Sequence, residues 1–169
     1  MNRPQPSEYP IWGEIYISKV NGDIFEVLKE QIKSLPTLFR ANADKQNYAY
    51  AAGKWTLKEM LGHIIDCERI FAYRITAFAR NEKQHLPGFD EDDYVLNAHF
   101  AERDLEDLLQ EFIALRRANL YLFSSLNHEE LERKGVASER EINVKSILFI
   151  TAGHIIHHIS ILKERYHVV

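Results

Sequence analysis

A chain of 169 residues is long enough for one domain with a substantial core and short for two. Its apolar fraction of 46% is that of a globular protein, and no apolar run is expected to reach the roughly 20 residues that cross a bilayer, so a membrane span is not anticipated. The formal net charge is −4 with lysines and arginines scattered along the chain, which argues against nucleic acid as a partner because phosphate neutralisation needs a concentrated positive face.

Residues 1–20 carry Pro4, Pro6 and Pro10, then Trp12, Tyr16 and Ile17, a pattern that predicts an extended leader pinned by aromatics. Residues 1–8 have no apolar segment behind Arg3, so they do not read as a secretory signal. Asp23 is placed to cap a first helix in which Ile24, Phe25, Leu28, Ile32 and Leu35 recur at helical spacing. Pro36 is expected to end or kink it.

Thr56-Leu57-Lys58-Glu59 is a capping box, in which hydroxyl and carboxylate each satisfy a backbone N–H left over at a helix start. The second helix therefore begins there and runs to about Arg80, with Leu57, Leu61, Ile64, Phe71, Ile75 and Phe78 as its apolar stripe. Leu86-Pro87-Gly88 marks the loop that follows. Asp104 caps a third helix whose face carries Leu105, Leu108, Leu109, Phe112, Leu115, Leu120 and Phe123, and residues 127–133 predict a short helical turn. After a loop around Gly135, Asn143 caps a fourth helix running from Val144 towards Tyr166. Four amphipathic helices most simply bury their stripes as an all-α four-helix bundle, one domain over residues 1–169.

On the fourth helix Ile147, Thr151, His154, His158 and Ile161 follow the alternating spacing of an inward seam. His154 and His158 lie one turn apart, so both rings project from one face. A buried imidazole with an unmet nitrogen costs about 1–3 kcal/mol, and two readings answer that cost: a hydrogen-bonded core pair, or a metal. His63, beside Met60 and Cys67 on the second helix, supplies a third ring if the two helices are neighbours. Gly62 and Gly153 directly precede His63 and His154, which suggests close helix approach near the rings.

His157 points about a third of a turn away from that seam. Asp66 is placed to receive an imidazole N–H, or to join Glu68 and Arg69 in a solvated or ion-paired face. Cys67, the one cysteine, excludes an internal disulfide framework and fits a reducing cytoplasm. It reads better as a small buried hydrophobe than as a fourth ligand or nucleophile. Trp55 and Tyr73 read as packing residues, with the lining of a pocket mouth as the alternative for either, and His85, His99, His128 and His167 have no assigned role.

Gly53 to Glu59, then Gly62-His63-Ile64-Ile65-Asp66-Cys67-Glu68-Arg69, resemble the second-helix signature of the DinB-like superfamily. Leu86 to Glu91, the run from Ala152 to His158 and Glu164-Arg165-Tyr166 continue the resemblance, and Arg3 to Pro6 with Glu8-Tyr9 is similar to one branch. It implies a four-helix bundle with a divalent metal ion, zinc, nickel or similar, held by three histidines at positions 63, 154 and 158. It also implies, from characterised relatives, a metal-dependent transferase acting with a low-molecular-weight thiol on an electrophilic small molecule. A metal-dependent hydrolase and a non-catalytic metal-binding stress or interaction protein are the alternatives, and oligomeric state stays open, a homodimer included.

Overall fold

The computed structural model describes residues 1–168. Four long helices form the bundle: α2 (Ile24–Ala41), α3 (Leu57–Ala79), α5 (Leu105–Ser125) and α7 (Val144–Arg165). Each starts where a capping side chain is available. Asp23 accepts from the backbone N–H of Phe25 and Glu26, Asp104 from Glu106 and Asp107, and Asn143 from Ser146. The capping box at Thr56 and Glu59 is reciprocal, with the Thr56 N–H 2.7 Å from the Glu59 carboxylate. The short α6 (His128–Glu132) has its own capping box between Asn127 and Glu130.

Pro36 does not end the first long helix, which continues through it to Ala41. The missing N–H costs one helical hydrogen bond, and burial of Leu35, Pro36 and Phe39 together outweighs that loss. The first 20 residues are not extended either. Single helical turns at Pro6–Glu8 and Ile11–Gly13 lead into α1 (Glu14–Ile17), which packs against α7. The loop expected around Gly135 is a β-hairpin, β1 (Lys134–Ala137) paired antiparallel with β2 (Arg140–Asn143). Its two turn residues, Ser138 and Glu139, both have positive φ, as a two-residue hairpin turn requires. An eight-residue helix, α4 (Glu91–Ala98), capped by Asp90, was also not anticipated.

The principal neighbours of α3 are α5 and α7, and those of α2 are also α5 and α7. Around the bundle the order is therefore α2, α5, α3, α7, with the consecutive long helices α2 and α3 on a diagonal. This connectivity puts α3 beside α7 although the two are far apart in the chain. α7 is long and apolar enough to cross a membrane by length and composition, contrary to the expectation above, but 67% of its most apolar stretch is buried inside the bundle. Its apolarity is that of a core helix.

Two apolar clusters fill the interior. One joins α1, the C-terminal half of α3, the hairpin and the start of α7; the other joins α2, the N-terminal half of α3, α5 and the end of α7. Across the bundle runs a buried polar network centred on Arg116, which is fully buried and grips Glu68 through two charge-assisted hydrogen bonds of 2.7 and 2.6 Å. Arg116 also donates to Gln31, Gln31 donates to the Ala152 carbonyl, and Asn119 donates to Glu68. One connected network thus ties α2, α3, α5 and α7 together. Glu68, taken from the sequence as part of a charged face, is an interior residue.

Candidate metal centre

The seam between the two apolar clusters holds the three histidines. His63 sits in the second turn of α3, and His154 and His158 in the middle of α7, all three buried. Their Nε2 atoms form a nearly equilateral triangle: 3.1 Å between His63 and His154, 3.2 Å between His63 and His158, and 2.9 Å between His154 and His158. The glycines expected to permit close approach do so by different means. A Cβ on Gly153 would stand 2.2 Å from the Tyr16 carbonyl oxygen, so α1 lies directly on α7 beside His154. A Cβ on Gly62 would stand 2.2 Å from the Phe100 ring, so there a side chain and not a helix backbone uses the space.

Burial keeps all three rings neutral. It lowers His63 to about 4 against a small upward pull from Asp92, and lowers His158 to about 3. His154, wholly enclosed, is held well below its ordinary value by burial and then by the neighbouring His158 and His63. Neutral imidazoles have lone pairs to donate. The three Nε2 atoms cannot satisfy all three contacts by hydrogen bonds, because each neutral ring nitrogen offers either one proton or one lone pair and so serves only one partner well. A divalent ion with nitrogen distances of about 2.0–2.1 Å would fit these three atoms, since a triangle with sides near 3 Å has a circumradius of about 1.8 Å. The three residues are therefore a group that could hold a metal ion.

The surroundings separate the other candidates. The Cys67 thiol lies 3.6 Å from His63 Nε2, and burial pushes it far above its ordinary value, so it is a protonated apolar wall. Asp66 does not reach a ring; it faces Arg69 at 3.6 Å on the half-exposed flank of α3. The Nδ1 atom of His158 is buried without a hydrogen-bond partner. His157 is half-buried, with its ring 5.3 Å from that of Tyr16. Trp55 packs on His63, with ring centroids 4.7 Å apart, and lines the mouths of both clefts described next. Tyr73 is exposed, and His85, His99, His128 and His167 line neither cleft described next.

Two clefts meet at the triad. The larger, about 510 Å³, runs along α3 between Tyr16, Phe71 and Phe89 and reaches all three histidines. The smaller, about 230 Å³, is bounded by Tyr50, Lys54, Asp92 and Tyr166 and reaches His158. Trp55 and His158 belong to both. Consecutive residues at the start of α4 serve the two: Glu91 lines the larger and Asp92 the smaller. Phe89, Glu91, Asp92 and Ser138 were not singled out in the sequence because they come from loops and a helix start, with only the Leu86 to Glu91 run as a signal; Arg74 lies on α3 in register with His63, a spacing that could have found it.

The sequence profile of the DinB superfamily matches residues 28–162, which include all three histidines. Among solved structures, YfiT from Bacillus subtilis, described as a probable metal-dependent hydrolase with an unusual four-helix bundle topology, superposes with a TM-score of 0.73. The match covers 89% of this chain and 93% of that one at 18% sequence identity, and so is a likeness of fold. No curated protein matches the chain significantly.

Proposed function

The chain belongs to the DinB superfamily, and from that membership and its clefts we propose a metal-dependent transferase that joins a low-molecular-weight thiol to an electrophilic small molecule. The observation that supports this reading is that two adjoining clefts share His158 and Trp55 beside the triad, an arrangement suited to a reaction of two substrates. His63, His154 and His158 are the ligands of a divalent ion, with zinc and nickel both suited to three imidazoles. When bound, the ion supplies Lewis acidity, which favours the thiolate form of a thiol or the hydroxide form of a water.

The protein's own residues do the rest. Trp55 and Phe71 pack against His63 and His154 and hold those rings in place. The thiol enters by the smaller cleft, where the Asp92 carboxylate is placed to receive its proton. The electrophile occupies the larger, aromatic cleft; its carbon forms the bond to sulfur, and its leaving group departs with the bonding pair.

Untagged, metal-replete protein offered bacillithiol, glutathione or cysteine with an aryl halide electrophile should turn over at least one thiol, and lose that turnover with its metal. Absence of metal-dependent turnover over the panel refutes the transferase. Release of product from esters or amides without any thiol would instead favour hydrolysis, the reading suggested by the description of YfiT.

A further inference from the structure

Arg74 lies on the same face of α3 as His63 and Cys67, eleven and seven residues further along, and lines the larger cleft with them. Although it is only 7% exposed, no carboxylate lies within ion-pair distance of it among the described residues. Its Nη2 donates to the Pro87 carbonyl at 2.9 Å and the Ser138 hydroxyl at 3.1 Å. Those two bonds use the hydrogens of one nitrogen and leave three of the five guanidinium N–H donors, on Nε and Nη1, without a protein acceptor. Neither nitrogen is sealed from solvent, since among the described residues the fully enclosed side-chain polar atom lacking a partner is His158 Nδ1.

A positioning role alone explains the two bonds but not the unused donors. Fixing the 86–89 loop to the hairpin is already done by the Leu86 N–H to the Val136 carbonyl and the Ser138 N–H to the Leu86 carbonyl. The buried arginine instead faces an aromatic cavity with its Nε–H and both Nη1–H donors free, and burial lowers its basicity. Glu91, the other charged residue of this cleft, makes no ion pair with it and would repel a dianion at the mouth.

We infer that Arg74 recognises a carboxylate, so that the molecule acted on in the larger cleft carries one at the end remote from the histidines. The assignment rests on the triad as the reaction centre. Eleven helical residues rise about 16 Å between the Cα atoms of His63 and Arg74, which sets the partner as a molecule several bonds long with an apolar or aromatic middle. Ser138, already held by Arg74, offers its hydroxyl to the second carboxylate oxygen.

The test compares 4-phenylbutyrate with its neutral amide by calorimetric titration of the metal-replete full chain, with metal content measured in parallel. Wild type should bind the carboxylate about tenfold more tightly or better, Arg74→Gln should bind the two within about twofold, and Arg74→Lys should fall between. The Nε–Hε resonance of Arg74 in wild type should shift with carboxylate and not with amide, a readout that stands if Arg74→Gln fails to fold. No preference in wild type overturns the inference. A preference that survives Arg74→Gln but vanishes in His154→Ala places the carboxylate at the triad and also overturns it. Wild type that takes up no metal yet prefers the carboxylate through Arg74 refutes the reaction centre and leaves the recognition standing.

Discussion

His63 Nε2 and His154 Nε2 lie 3.1 Å apart although 91 residues separate them in the chain. The contact is made by α3 and α7 lying side by side, with Gly153 letting α1 close over His154 from behind. A site assembled in this way should respond to changes in its ligands and in the packing that holds them.

Replacing His63, His154 or His158 with alanine should each reduce the metal content of untagged protein from near one ion per chain to below about a tenth, because two imidazoles hold a divalent ion far less tightly than three. Cys67→Ala and Asp66→Asn should leave it unchanged, since neither side chain completes the triangle. Elemental analysis reads all five. A metal content unaffected by His154→Ala would show that the triad is only packing.

Acid should destabilise the metal-free protein. Burial holds His63 at about 4 and His158 at about 3, below the roughly 6.5 of an exposed imidazole. Between those values the unfolded chain binds more protons than the folded one, so the contribution is fully present above pH about 6.5 and is lost as pH falls towards 3. Thermal melting midpoints should fall from pH 7 to pH 4, and His158→Gln should flatten that slope.

Glu68→Gln or Arg116→Met should cost about 3–5 kcal/mol in urea unfolding, because either leaves an uncompensated charge in the interior. Replacing both with apolar residues should recover much of the loss. Since Gln31 links Arg116 to the Ala152 carbonyl two residues before His154, the single variants should also weaken metal retention. Equal stability of single and wild-type proteins would remove the network from the account of the fold.

Gly153→Ala should push α1 off α7, because a Cβ there meets the Tyr16 carbonyl at 2.2 Å and backbone cannot rotate aside. A loss of about 1–3 kcal/mol is expected, with faster exchange of the α1 amides. Retained stability with unchanged exchange would show that α1 is held loosely.

Helix boundaries were legible in the sequence wherever a cap preceded a periodic run, because Asp23, Thr56, Asp104 and Asn143 act on N–H groups two or three residues away. So were the inward positions of His154 and His158, which follow from one helix's periodicity. Local signals failed where distant contacts decided the outcome. Pro36 stays inside α2 because its neighbours are buried, and residues 6–17 coil into turns against α7.

What the chain alone determined is therefore local: four capped helices, and two imidazoles one turn apart. Only the tertiary arrangement decided that α3, diagonal to α2, comes to lie against α7 and delivers His63 to the pair. It also decided that Glu68 is an interior residue and that Arg74 shares a cleft with the histidines. Caps and periodicities act over a few residues, whereas helix neighbours are chosen by how all the apolar stripes can be buried at once.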